Sequence, residues 1–290
     1  MQPQSAYREL PGRPTSSQSG QASAASDSAA ELYERELVPA IYAAWVPIVI
    51  DLAPPKAGQR VLDVACGTGV IARSAAERVG ITGSVTGIDA HPGMLAVARS
   101  RISTDDLSTA PIAWQEANAS SLPLRDGTID VAYCQAGLQS FADRQIALRE
   151  MHRVLAPGGR MGVMVWRSIE HSPGFRAVAD ALDEHVGAGA AAAIRSLFAL
   201  GDLDQVSGLV TGVGFTAVEG QTRSGMARFG SIEHFLRIYL AGPRVMTFLA
   251  QASAAKRIAL QRQVTSALSN YARSGQLVFP IEAHLVSART

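Results

Sequence analysis

A carboxylate four residues ahead of a glycine turn is the first feature of this chain that could do chemistry. In the run from Asp63 through Cys66 to Gly67-Thr68-Gly69, two glycines allow backbone amides to approach a ligand at the start of a helix, where unpaired N–H groups and the helix dipole make a binding site. Twenty residues beyond Gly69, Asp89 closes a second apolar run, where a carboxylate can accept both hydroxyls of a ribose. The segment from Gly67 to Ala72 also satisfies the G-x-G-x-x-A dinucleotide fingerprint, so the glycines by themselves leave a nicotinamide enzyme as a competing reading.

Asp63 helps to separate the two by charge. At about 4 Å and an effective dielectric of about 20, a carboxylate interacts with a unit charge by on the order of 4 kcal/mol before desolvation, against a pyrophosphate and in favour of an ammonium. S-adenosylmethionine carries both an ammonium and a sulfonium. The competing local reading makes Asp63 a helix cap and the glycines a tight turn. Other polar candidates follow from the rule that ligands of open α/β sheets sit outside the carboxyl ends of the strands: Gln135 and Gln139 after the fourth strand, and Glu170 and His171 after the fifth. His171 has the intrinsic pKa of a general base, with a surface loop histidine as the alternative. Asp130 reads as structural at a strand start, and Cys66 and Cys134 as small apolar fillers.

Apolar runs and breaker residues outline the elements that hold these groups. Strands are expected at 60–65, 84–89, 111–116, 129–134 and 160–166, alternating with helices near 70–79, 93–103 and 143–155. Such alternation predicts a parallel sheet with right-handed crossovers. A sixth strand is expected in 214–221 and a seventh in 277–286. Ser28-Ala-Ala-Glu31 has capping-box spacing, so residues 1–27, rich in Ser, Gln, Ala, Pro and Gly, are expected to be a flexible tail and 28–290 a single domain. Helical cap segments are expected near 28–53, 168–212 and 226–274; their aromatic residues Tyr33, Tyr42, Phe229, Phe235 and Tyr239 suit either an acceptor pocket or plain helix packing.

Composition narrows the class. A 290-residue chain that is 47% hydrophobic buries a sizeable core, and 26 basic against 25 acidic residues leave no field to gather nucleic acid or anionic membrane. A small-molecule substrate is therefore expected, with no nucleic-acid and no membrane partner. Two well-separated cysteines in apolar contexts, and an N-terminus without a basic and apolar leader pattern, point to a reducing, cytoplasmic setting. The histidines and cysteines show neither C-x-x-C nor H-x-x-x-H spacing, so no metal site is expected.

Four segments in one order, VLDVACGTG (61–69), VTGIDAHPGML (85–95), SSLPLRDGTIDVAYC (120–134) and REMHRVLAPGGRM (149–161), make the chain resemble the class I S-adenosylmethionine-dependent methyltransferases. It is similar in particular to bacterial small-molecule enzymes of the ubiquinone and menaquinone biosynthesis type. The resemblance implies an α/β fold: a Rossmann-like, doubly wound, seven-stranded sheet, mostly parallel with one antiparallel strand, plus helical caps. It implies S-adenosyl-L-methionine as cofactor, with Asp63, Gly67 and Gly69 at its methionine end and Asp89 at ribose. Ala90 and Met94 would wall the adenosine, and Asn118, Ala119 and Gln135 would complete the donor site. Asn118 stands where the family carries an acidic residue, and its side-chain carbonyl can accept the same hydrogen bond from adenine. The sequence Cys134-Gln135-Ala136-Gly137 lacks the Asp/Asn-Pro-Pro-aromatic element of enzymes that methylate nucleic-acid bases. The implied reaction is in-line methyl transfer to a small organic acceptor, with His171, Gln135 and Gln139 as candidate catalytic residues. Oxygen, nitrogen and carbon acceptors stay open. An NAD(P)-dependent oxidoreductase and a non-catalytic regulator that binds the donor are the alternative readings.

Overall fold

Arg60–Val64 (β1) opens a sheet whose central strands are apolar on both faces, the pattern of parallel strands covered by helices on each side. The structure, a computed structural model, describes residues 29–102, 108–240 and 242–290; the expected tail and Ser28 of the capping spacing lie outside the described residues. Ser84–Asp89 (β2), Ile112–Glu116 (β3), Ile129–Gln135 (β4) and Leu155–Trp166 (β5) pair in parallel around β1. Thr216–Phe229 (β6) and Gln276–Arg289 (β8) complete the order β3-β2-β1-β4-β5-β8-β6, with β8 antiparallel to both neighbours. The expected seven strands with one antiparallel member are therefore present.

Three details differ from the sequence reading. Ala272–Arg273 (β7) adds an eighth strand, a two-residue pairing onto β8 through a turn whose Ser274 and Gly275 both have positive φ (51° and 82°), the requirement of a type I′ hairpin. β6 runs eight residues beyond its expected end at 221, so 226–229, expected in a helical cap, is strand. β5 begins at Leu155, immediately after the helix before it, and carries Pro157-Gly158-Gly159 inside its first half.

The helices are Val46–Leu52 (α1), Val70–Val79 (α2), Pro92–Ser100 (α3), Arg144–Val154 (α4), Pro173–His185 (α5), Ala188–Arg195 (α6), Leu203–Thr211 (α7), Ile232–Leu240 (α8), Pro243–Ala250 (α9) and Ala254–Leu268 (α10). Ahead of α1 lies a wide π-helical segment, Tyr33–Tyr42, interrupted by Pro39, which has no N–H to give. α4 starts where Asp143 accepts the Ile146 N–H and buries Leu148 and Met151, each contributing about 1.5 to 3 kcal/mol by leaving water.

Two apolar cores flank the sheet. One gathers α1, α2, α5, α6 and α8 to α10, and the other gathers α4 and α7. Phe229 (4% exposed) and Phe235 (0%) lie inside the first, their rings 4.9 Å apart and packed with Phe175 and Phe279. Of the aromatic residues weighed as an acceptor pocket, these two are core; Tyr33, Tyr42 and Tyr239 stay partly exposed. Asp130 takes a structural part, its carboxylate gripping the Arg60 backbone and guanidinium at 2.8 to 3.1 Å.

Candidate functional site

Between β1 and α2 the chain turns through Ala65 (φ 56°), Gly67 (54°) and Gly69 (86°), three left-handed residues in five positions. Only glycine takes that conformation cheaply, and Ala65 there is a local strain of the kind that collects at ligand sites. A side chain at Gly69 would lie 2.2 Å from the Trp114 ring and one at Gly87 2.4 Å from it, so Trp114 lies across both glycines. It does so because Asp63, Gly87 and Trp114 occupy one row across β1, β2 and β3. The sequence reading missed Trp114; its available signal is the glycine inside an apolar strand, which marks a close approach by another group. The Trp114 indole N–H is buried without a partner among the described residues.

Asp63 is 1% exposed, and its Oδ2 accepts the Ala72 N–H at 3.0 Å in the first turn of α2. Burial pushes its carboxyl up to about 8, the Ala72 N–H pulling it back and the charge of Asp89 raising it further. Asp89 is fastened on both oxygens: Oδ2 accepts the Gly67 N–H at 2.8 Å and Oδ1 the His91 N–H at 2.9 Å. Each carboxylate oxygen keeps capacity for a second hydrogen bond.

The N-terminal π-helix closes over this turn. Tyr33 rests its ring against Gly67, and Glu34 accepts the Thr68 hydroxyl and pairs with Arg73 at 3.0 Å. Arg73 in turn donates to the Thr68 carbonyl. Glu34 and Arg73 are not among the residues the sequence singles out, and Thr68 enters there only as part of the turn, because Glu34 joins both across more than thirty positions with no local pattern. Tyr42, 5.2 Å from Tyr33 between ring centres, receives on its carbonyl the Nε2–H of Gln135 at 3.1 Å and packs on Trp166.

The remaining candidates scatter around this centre. Ala90 is exposed at the end of β2, and Met94 is partly buried in α3, which His91 caps through Nδ1. Ala119 is buried. Asn118 is exposed, and its Oδ1 already accepts both the N–H and the hydroxyl of Ser120, at 3.0 and 2.9 Å. An adenine contact from that oxygen therefore requires Ser120 to let go. Gln139 is 5% exposed; its Nε2 donates to the Ala136 carbonyl at 2.9 Å and its Oε1 has no partner. His171 sits apart from the glycine turn, its Nδ1 3.7 Å from Glu282, in a groove with Arg176, Asp180 and Tyr271. The Arg167 guanidinium beside Glu282 holds that carboxyl below its usual range. Cys66 and Cys134 are free thiols that burial pushes up, Cys134 to about 12, which leaves neither as a thiolate nucleophile at neutral pH.

Chemically, the centre is a two-glycine cradle at a helix N-terminus with carboxylates on either side of it and an unpaired indole N–H beneath. That set fits a ligand cationic at one end and carrying a ribose at the other. Among the described residues, no three His, Cys, Asp or Glu are gathered so as to hold a metal ion, and no helix is long and apolar enough to cross a membrane.

The chain is similar to known proteins in sequence and in fold. A family model described as the ubiE/COQ5 methyltransferase family matches residues 36–182, which contain β1 to β5 and every proposed donor residue. A ubiquinone/menaquinone biosynthesis C-methyltransferase UbiE from Stenotrophomonas maltophilia is 38% identical over 129 residues, 44% of this chain and 51% of that protein. A demethylmenaquinone methyltransferase from Thermus thermophilus is 42% identical over 120 residues, 41% of this chain and 53% of that protein. The chain thus spans about half the length of the curated relatives it matches. Among solved structures, the YcgJ protein of Bacillus subtilis superposes with a TM-score of 0.57 at 20% identity, covering 85% of this chain and 98% of that one. A Haemonchus contortus phosphoethanolamine N-methyltransferase 2, in complex with phosphomonomethylethanolamine and S-adenosylhomocysteine, gives 0.56 at 21% identity over 91% of this chain and 57% of that one. At these identities the structural likeness is one of fold.

Proposed function

This chain belongs to the ubiE/COQ5 methyltransferase family, and we propose that it transfers a methyl group from S-adenosylmethionine to a small organic acceptor. The observation that carries the reading is the bond from the Gly67 amide to the Asp89 carboxylate, which ties the glycine turn to the acid after it and sets both beside the buried Asp63. When bound, the donor supplies a methyl group already activated by a positively charged sulfur.

The work left to the protein is positioning. Asp63, Gly67 and Gly69 hold the methionine end, Asp63 as the carboxylate it becomes on losing its proton beside the donor's ammonium and the glycines through their backbone. Asp89 accepts the ribose hydroxyls; Ala90 and Met94 pack on the adenosine, with Asn118 and Ala119 at its far edge. Gln135 and Gln139 orient the acceptor from the loop after β4, the unpaired Oε1 of Gln139 being an acceptor for its hydroxyl or amino hydrogen. For an acceptor that reaches from the glycine turn into the groove of His171 and must lose a proton, His171 is the candidate base, with Glu282 at 3.7 Å to balance the charge gained.

The curated relatives named as C-methyltransferases favour carbon as the acceptor atom. Residues beyond 182, which supply α6 to α10 and the β6–β8 pair, lie outside the family match, so the acceptor is to be found by experiment rather than by analogy. The near-zero net charge supports a small molecule over a nucleic acid, the two free thiols support a cytoplasmic setting, and the shared sheet supports one domain over 28–290. The test is calorimetry with S-adenosylmethionine and with NAD, followed by incubation with methyl-labelled donor and a metabolite extract. Donor binding and a labelled product support the reading; NAD binding alone overturns it, and donor binding without any product favours a regulator.

A further inference from the structure

Tyr33 stands in an unusual place for a residue outside the glycine motif. A side chain placed on Gly67 would lie 3.7 Å from the Cε1 and hydroxyl of Tyr33 and 3.9 Å from its Cζ, so the hydroxyl end of the ring lies over the turn. The position is held from two sides. Glu34, the next residue, is fastened to Thr68 and Arg73, and the ring itself packs on Tyr42 at 5.2 Å. Asp89 is near enough for its charge to act on the Tyr33 phenol, which burial above all keeps protonated.

Gly67 belongs to the methionine end of the proposed donor site and Asp89 to its ribose end. In S-adenosylmethionine the atom that joins those two halves is the sulfonium. A ring that lies over Gly67 and close enough to Asp89 to sense its charge stands where that sulfur would have to pass between the two halves. We propose that the face of Tyr33 is the wall against which the donor's sulfonium rests, and that through it the protein distinguishes the cationic donor from its neutral product S-adenosylhomocysteine. The inference rests on the donor assignment made above. Its physical basis is the negative face of an aromatic ring, which attracts a desolvated cation more strongly than a neutral thioether. The hydrogen bonds of Asp63 and Asp89 do not discriminate, because the ammonium and the ribose they would hold are common to donor and product.

The test is the ratio of two dissociation constants, measured by calorimetry for S-adenosylmethionine and S-adenosylhomocysteine on the full chain. In Tyr33→Leu, donor affinity is expected to fall on the order of ten-fold while product affinity changes less than about two-fold, and Tyr33→Phe is expected to keep the parent's ratio. Equal losses for both ligands in Tyr33→Leu would mean that the ring only packs. A loss in Tyr33→Phe as large as in Tyr33→Leu would assign the effect to the hydroxyl. Should Tyr33→Leu not fold, fluorinated phenylalanines at position 33 keep the shape and drain the ring face stepwise; donor affinity must then fall with each fluorine while product affinity stays level, and a flat donor series overturns the proposal. A parent chain that binds neither ligand defeats the donor reading itself, whereas a parent that binds both with ratios unmoved by these variants defeats the sulfonium wall alone.

Discussion

The carboxylate of Asp63 accepts the backbone N–H of Ala72 at 3.0 Å, so the acid that precedes the glycine turn is also the cap of the helix that follows it. Both readings open at the sequence level, helix cap and ligand contact, meet in one buried side chain. Because burial pushes this carboxyl up to about 8, the folded chain keeps a proton there that the unfolded chain releases near the ordinary carboxylate value. Between those values the native state binds more protons than the unfolded one, and the stability contributed by this group falls as pH rises. Asp63→Asn keeps an oxygen for Ala72 and removes the titration. Urea unfolding at about pH 5 and about pH 8 should therefore show the variant gaining on the parent at the higher pH. A difference that does not change with pH would mean that Asp63 is ionised in the native state.

The same proton makes donor binding visible in another way. An ammonium brought to Asp63 favours its charged form, so binding of S-adenosylmethionine near neutral pH should release a proton from the parent chain and a smaller amount from Asp63→Asn. Calorimetry in two buffers of different ionisation enthalpy reads the proton count directly. Equal release from both chains would place the ammonium elsewhere.

Asp89→Ala takes away the acceptor for the Gly67 and His91 amides as well as for the proposed ribose hydroxyls. Donor affinity should fall by about 1 to 3 kcal/mol, the usual worth of charge-assisted hydrogen bonds. Binding equal to that of the parent would remove Asp89 from the donor site.

Phe235 is fully buried among Phe175, Phe229 and Phe279. Phe235→Ala is expected to cost about 3 to 5 kcal/mol of stability by leaving a cavity, while donor affinity of the folded fraction stays near the parent's. Unchanged unfolding together with abolished turnover would instead return Phe235 to the acceptor pocket.

Glu34→Gln breaks the ion pair to Arg73 that pins the N-terminal π-helix to the glycine turn. Amide exchange across Tyr33–Tyr42 should quicken while that of the central strands is unaffected, since the change is local. Exchange that quickens everywhere would make Glu34 a global support.

How much of this could be read beforehand follows from where the determining contacts lie. β1 to β4, α2 and Asp89 are announced by apolar runs, glycines and acids within a few residues of each other, and they appear where that pattern put them. β6 was read too short because, in its far half, only Ala227 and Phe229 are buried, so its pairing to β8 leaves little apolar trace. β5 hid its start because Leu155 continues the apolar stripe of α4 yet pairs with Ile129. Trp114 and Glu34 were missed for a third reason: a glycine on another strand makes room for the first, and a hydroxyl in the turn holds the second. His171 was placed by its position after β5, while Glu282, the partner that defines its surroundings, comes from β8.

β8 lies between β5 and β6, and that arrangement sets an order in time. β6 is made first and, among the described residues, has no neighbour in the sheet other than β8. Until the intervening residues 230–275 have been synthesised, roughly 2 to 9 s at about 5 to 20 residues per second, its backbone donors and acceptors have nothing to bind but water or another nascent chain. The donor half, β1 to β5, has been synthesised by then. The vulnerable interval in the life of this protein is thus the wait of one exposed strand for its partner, and a chain cut short before residue 276 would stay in it permanently.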